Sequence, residues 1–243
     1  MLFQKRFTAL FLGCAALAAS ALSCSKKGGT DNTPVVANFT FSGAGLAPAT
    51  VSFTNSSSGA TSYQWDFGDN TPSSSSSSPS HNYTQGGVYT VRLTATGPGG
   101  SNTVSKTVNI GTPTSLKITK VRLAAMPFTT TSGGSWDPGS GPDVFFQFKS
   151  SAGSVLFSGS PLNDATAASL PIAWTLSTPY QVTNFATPYS LEIYDNDSPL
   201  SNDVIGAFSN FNFTSATTNG YPTTLLLQSA NGQLRVELVV QWQ

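Results

Sequence analysis

Between Ala37 and Trp242, apolar residues recur at every second position rather than every third and fourth, and this spacing constrains the fold more than any other feature. Ala37, Phe39 and Phe41 form one such set; Val51 and Phe53, Trp65 and Phe67, then Val91, Leu93 and Ala95, then Val104, Val108 and Ile110 form others. Side chains two apart share one face of an extended chain, so each set reads as a strand with one buried face. Turn-forming breaks separate the sets, among them Gly43-Ala44-Gly45, Gly68-Asp69-Asn70 and Gly97-Pro98-Gly99-Gly100. No segment keeps a helical period over three turns, and the wealth of Ser, Thr, Val, Phe and Tyr suits strands. The fold class is all-β.

The alternation pauses at Gly111–Ser115 (GTPTS), a short proline-containing linker, and resumes. Leu116/Ile118, Val144/Phe146/Phe148, Ile172/Trp174/Leu176, Leu191/Ile193 and Leu234/Val236/Leu238/Val240/Trp242 follow. Short strands joined by polar loops predict two tandem antiparallel sandwiches, at 36–111 and 115–243. Ser73–Ser78, a run of six serines, reads as a solvated loop.

The N-terminus points to export. Lys5 and Arg6 precede an apolar run from Phe7 to Leu22, too short and too rich in small residues for a comfortable membrane span, as in a secretory leader. Its end, Ala21-Leu22-Ser23-Cys24, resembles a bacterial lipobox, with Ala21 where leucine is preferred. That resemblance implies removal of residues 1–23 and lipidation of Cys24, anchoring an exported cell-envelope lipoprotein of the outer membrane, on its periplasmic or surface side. Two acyl chains hold a protein where one is marginal. The competing reading is an ordinary leader cut nearby, with Cys24 an idle thiol. Residues 24–35 carry no large core-forming run and read as a flexible spacer.

The only other cysteine, Cys14, lies in the leader, so no disulfide framework is expected and core burial must hold both domains. Without Lys5 and Arg6, 9 basic residues face 11 acidic ones, a net charge of −2. That balance gives no electrostatic footprint for nucleic acid.

Tyr63-Gln64-Trp65-Asp66-Phe67-Gly68-Asp69-Asn70, His81-Asn82-Tyr83 and Gly87-Val88-Tyr89-Thr90-Val91-Arg92-Leu93-Thr94 resemble the polycystic-kidney-disease (PKD) family over residues 36–111. The resemblance implies an immunoglobulin-like sandwich serving as a spacer or adhesive unit. Trp65 and Phe67 are expected in its core, Gly68–Asn70 in a turn, and Asp66 on local backbone. His81, the only histidine, is expected to be structural rather than a general base. Calcium ligation by Asp66 and Asp69 is the competing reading of those acids.

Five of the six aspartates of the second region fall in two loops: Asp137 and Asp143, then Asp195, Asp197 and Asp203. If both loops leave the sandwich at one end, the carboxylates converge and repel unless protonated or neutralised. Calcium, taking six to eight oxygens, resolves this, and exported proteins meet it at millimolar levels. An EF-hand is excluded because Leu200 stands where the loop glycine belongs and Gly206 where the glutamate belongs. The arrangement resembles instead a C2 domain, an eight-stranded antiparallel sandwich with calcium loops at one tip. By that resemblance the five aspartates are ligands, with the backbone carbonyls of Trp136 and Asn196 as additional ones. The competing reading is that aspartates simply favour turns.

The sequence therefore predicts a non-catalytic, membrane-anchored binding or adhesion protein. It would display a calcium-binding C2-like module on a PKD spacer towards a protein or polysaccharide at the cell surface. The alternative is glycan capture without calcium by exposed Trp136, Tyr180, Tyr189 and Tyr221. A glycosidase built on Asp195 and Asp203 is a third reading, without other support in the sequence.

Overall fold

The computed structural model describes residues 32–130, 132–137, 139–197 and 201–243. The leader, Cys24, most of the spacer and Leu200 lie outside the described residues. Fourteen strands among the described residues form four sheets, and every strand pairing is antiparallel. Among the described residues, helix is confined to short turns such as α1, Thr214–Thr218.

The first sandwich contains β1 (Phe39–Ser42), β2 (Ala49–Asn55), β3 (Ser62–Asp66), β4 (Ser80–Tyr83), β5 (Gly87–Gly97) and β6 (Gly100–Ile110). Sheets β1-β2-β4 and β3-β5-β6 face each other. Phe39, Val51 and Phe53 from one meet Trp65, Val91, Leu93 and Val108 from the other, each at most 2% exposed. Burying one such side chain contributes about 1.5–3 kcal/mol, and this core holds a sandwich whose described residues include no cysteine. The Phe39 ring packs edge-on against Trp65 with centroids 5.0 Å apart. The serine tract is largely exposed yet tied down: Trp65 Nε1 donates to the Ser76 carbonyl at 2.9 Å, and Trp65 and Ser74 exchange backbone hydrogen bonds. Packing begins before the expected boundary, since Val35 is buried against Ala37 and Ala95.

The second sandwich contains β7 (Leu116–Ala125), β8 (Val144–Ser150), β9 (Val155–Ser158), β10 (Ile172–Val182), β11 (Tyr189–Asp195), β12 (Asp203–Phe211), β13 (Thr224–Gln228) and β14 (Arg235–Trp242). Sheet β10-β7-β14-β13 faces sheet β12-β11-β8-β9. Leu116, Ile118, Val121, Leu123, Val236 and Leu238 meet Phe146, Phe148, Leu191 and Ile193 between them, all inaccessible to solvent.

The two sandwiches share a junction. After α1, Gly220 and Tyr221 adopt positive φ (79° and 53°), a conformation costly for a bulky side chain. The turn delivers the Tyr221 ring, 3% exposed, to the core cluster of the first sandwich. Trp242 packs against both cores, with its ring 5.1 Å from Tyr221 and 5.5 Å from Phe185. Gln85 Nε2 donates to the Thr218 carbonyl at 3.2 Å. The linker is held at both ends: Ala47 N–H donates to the Gly111 carbonyl, and Thr114 and Ser115 N–H to that of Gln243.

Candidate metal centre

The register of β8 and β11 builds the acidic tip. Asp195, the last residue of β11, pairs with Val144, the first of β8, so the loop before β8 and the loop after β11 leave the sandwich together. Along β11 the core-facing positions are Tyr189, Leu191, Ile193 and Asp195. Strand alternation thus puts a carboxylate where the pattern calls for another aliphatic side chain. Asp195 is 1% exposed, and a charge removed from water is costly unless paired.

Asp137, Asp195 and Asp197 each direct a carboxylate oxygen into one cluster, with those atoms within 4.8 Å of one another. Asp195 Oδ1 accepts the Asp143 N–H at 2.7 Å. Asp195 Oδ2 is buried with no hydrogen-bond partner among the described residues. Burial, and then the nearby charges of Asp137, Asp197 and Asp143, push the Asp195 carboxyl above its ordinary range despite that N–H bond. Asp137 is raised too, by desolvation and by repulsion from Asp197, Asp143 and Asp164.

The other expected ligands stand apart. Asp143 Oδ1 accepts the Asp164 N–H at 2.9 Å, and the Asp143 carbonyl accepts the Asn196 N–H at 2.9 Å. Asp143 thus ties the loops together beside the cluster. Asp203 pairs with Asp195 in register but is exposed. Asp164, absent from the expected set, is brought to this end because Ala165 N–H bonds the Pro142 carbonyl at 2.8 Å. Only glycine fits opposite at Gly141, where a Cβ would lie 2.1 Å from the Ala165 carbonyl oxygen.

This donor set fits calcium. It is all oxygen, it holds a buried lone pair without a donor, and its atoms fall inside the span of a single ion. Two ligands of one calcium can be no farther apart than twice the bond length, about 5 Å.

The acids of the first sandwich are arranged differently. Asp66 Oδ1 accepts the Gly68 N–H at 2.9 Å. Asp69 Oδ1 accepts Thr71 N–H (3.2 Å) and Thr71 Oγ1–H (2.6 Å), and Oδ2 meets His81 Nε2 at 2.7 Å. Burial opposes ionisation of Asp69, but the bonds to Thr71 and His81 outweigh it and hold the carboxyl below its ordinary value. His81 stacks on Phe67 at 4.0 Å, a structural setting with its imidazole edge committed.

The aromatic set expected for glycan capture is corrected. Tyr189 and Tyr221 are 6% and 3% exposed and belong to the cores, because one faces inward on β11 and the other fills the junction. Tyr180 packs on Phe148 and Phe157. Trp136 is half-buried, with Nε1 donating to the Pro127 carbonyl at 3.2 Å, and lines a groove of about 720 Å³ together with Asp203.

The first region has the framework of an immunoglobulin-like domain, two facing antiparallel sheets around a buried tryptophan. A family model for the PKD domain matches residues 32–111. Through that region the chain belongs to the PKD-domain family. The PKD1 domain of Vibrio anguillarum Epp is 42% identical, covering 34% of this chain and all of that one, with a TM-score of 0.30. The PKD1 domain of the Vibrio cholerae metalloprotease PrtV is 36% identical, covering 32% of this chain and 98% of its own, with a TM-score of 0.29. A solved structure from a study of carbohydrate-binding modules of the β-sandwich superfamily spans 88% of this chain and 92% of its own, at 12% identity and a TM-score of 0.31. At that distance neither ligand nor function transfers. No curated protein matches the chain.

Proposed function

We propose that this chain is a non-catalytic, lipid-anchored binding protein of the bacterial cell envelope, with a PKD spacer and a C2-like sandwich that binds calcium at its acidic tip. The observation that carries the metal reading is Asp195: a core-facing carboxylate, 1% exposed, with Oδ2 unpartnered among the described residues and two further carboxylates beside it. Calcium would supply the positive charge that lets Asp137, Asp195 and Asp197 ionise side by side, fixing the two loops. Asp143 positions them, its N–H orienting Asp195 and its carboxylate holding the Asp164 backbone.

One carboxylate oxygen from each of Asp137, Asp195 and Asp197 lies within 4.8 Å of the others, a crowding that supports a metal site. Asp203, the partner of Asp195 in the glycosidase reading, is exposed and outside that cluster. Anchoring through Cys24 rests on the lipobox-like Ala21–Cys24 segment.

Calorimetric titration of the full chain with calcium is expected to show saturable binding that disappears in the Asp195→Asn/Asp197→Asn double variant. Absence of binding, or unchanged binding in that variant, rejects the site. Incorporation of labelled fatty acid, lost in Cys24→Ala, tests the anchor separately.

A further inference from the structure

We propose that Tyr221 is a latch joining the two sandwiches into one cooperatively folding body, so that the PKD region carries the acidic tip as a stiff stalk. This deepens the spacer role proposed above and depends on neither the metal nor the anchor.

The core of the first sandwich is completed from outside its own stretch of sequence. One buried member of its cluster comes from beyond Ile110, and that member is Tyr221, 3% exposed. Its φ of 53° is one a bulky side chain adopts only at a cost, and such a cost persists where the surroundings impose it. Here they do. Tyr221 N–H donates to the Ala216 carbonyl at 3.1 Å, and Gln85 Nε2 of the first sandwich donates to the Thr218 carbonyl at 3.2 Å. Between them Gly220 lies so close to the first sandwich that a Cβ there would stand 3.3 Å from that of Thr84.

Trp242 holds the latch from the second sandwich. Its ring meets Tyr221 edge-on at 5.1 Å and Phe185 at 5.5 Å, and its Nε1 donates to the Pro222 carbonyl at 2.8 Å. Phe185 packs on the second core and Tyr221 on the first, so aromatic contacts run from one core to the other. The linker adds little slack. Thr112 and Pro113 alone separate Gly111, whose N–H bonds the Gly45 carbonyl, from Thr114, whose N–H bonds that of Gln243, and Pro113 is buried.

Strand direction puts the tip at the far end. Leu116, the first residue of β7, pairs with Trp242, the last of β14, so this end of the second sandwich meets the first. Strand β11 starts there, with the Tyr189 ring 5.6 Å from that of Phe213 just before α1, and ends at Asp195. A strand of this length covers about 20 Å. A hinge at the junction would let the carboxylates swing through that radius, whereas a latch fixes their direction relative to the PKD region.

Scanning calorimetry of the full chain in detergent and EGTA is expected to show one transition, with equal calorimetric and van't Hoff enthalpies. Tyr221→Asn keeps a residue suited to positive φ and removes the ring. It should split the transition in two, with the first sandwich melting roughly 10–20 °C lower. Two transitions in the native chain, or one unsplit transition in folded Tyr221→Asn, overturn the latch. If Tyr221→Asn does not fold, hydrogen exchange of the native chain in mild urea decides. The slowest amides of β5 and β14 should then exchange together, as members of one opening unit. Exchange many-fold faster in β5 than in β14 overturns the proposal. Calcium titration and fatty-acid incorporation test the proposed function separately, and their failure leaves the latch standing.

Discussion

Each sandwich carries an aspartate with little exposure at the end of its core, and the two are solved in opposite ways. Asp69 is surrounded: the Thr71 backbone and hydroxyl take one oxygen and His81 the other. Its carboxyl is held below the ordinary range, so the charged form is native to the fold. Asp195 has a single N–H on Oδ1, nothing among the described residues on Oδ2, and two other carboxylates as neighbours. Its carboxyl is pushed up, so the fold alone disfavours the charge. An aspartate whose bonds are complete is a structural turn residue, whereas one buried beside its own kind must be protonated or neutralised. This separates two motifs that both read as possible calcium loops, and only the second leaves a buried carboxylate oxygen without a partner among the described residues.

The comparison breaks most visibly on metal removal. For the native chain, calcium at about 100 times Kd is worth roughly 2.7 kcal/mol, several degrees of melting temperature. Asp69→Asn should keep that whole increment, because the first sandwich contributes no ligand. Loss of the increment in Asp69→Asn, read by calorimetry, would join the two loops functionally and undo the contrast.

Next in size is the cost of Asp69→Asn itself. Hydrogen bonds to a charged group contribute about 1.5–3 kcal/mol each, and the amide keeps some of them, so a loss of about 1–2 kcal/mol is expected. Urea denaturation should show it equally with and without calcium.

Acidity separates the pair by sign. Asp69, with its folded pKa lowered, contributes stability above its unfolded pKa of about 3.9 and loses it as pH falls through the folded value. Asp195, with its folded pKa raised, is a penalty at neutral pH that is relieved as pH falls through that raised value. In chelator, stability should therefore rise on mild acidification and fall below about pH 4. Asp195→Asn should flatten the first limb and Asp69→Asn the second. The smallest effect is expected at Asp203. It is exposed and outside the cluster, so Asp203→Asn should change stability by about 0.5 kcal/mol or less and leave the calcium increment intact.

How far the sequence reveals this molecule depends on where each strand sits. Alternation is strongest in central strands, whose inner faces are covered: β8 through Val144, Phe146 and Phe148, β11 through Leu191 and Ile193, β14 through Val236, Leu238 and Val240. Strands β9, β12 and β13 escaped the pattern. All three are sheet edges, and among their residues Ile205 alone is buried. An edge strand needs few apolar side chains, so composition records it faintly.

The site was legible to the same degree. Asp137, Asp195 and Asp197 could be grouped because their loops flank readable central strands. Asp143 also belongs at this tip, but its bond to Asp164 depends on the distant approach of Ala165 to Pro142. No local spacing encodes that approach. Tyr221 is a similar case: an aromatic in a polar segment reads as exposed, and only the turn after α1 carries it into the neighbouring core.

The most direct measurement is the melting temperature of Asp195→Asn beside the native chain, first in EGTA and then in millimolar calcium. The amide still offers an oxygen to the Asp143 N–H and removes the disfavoured charge. In EGTA the variant should therefore melt at or above the native temperature. In calcium the native chain should rise by several degrees and the variant should stay where it was. A variant that melts well below the native chain in EGTA, and rises with it in calcium, would contradict the account: Asp195 would then be a satisfied structural residue like Asp69.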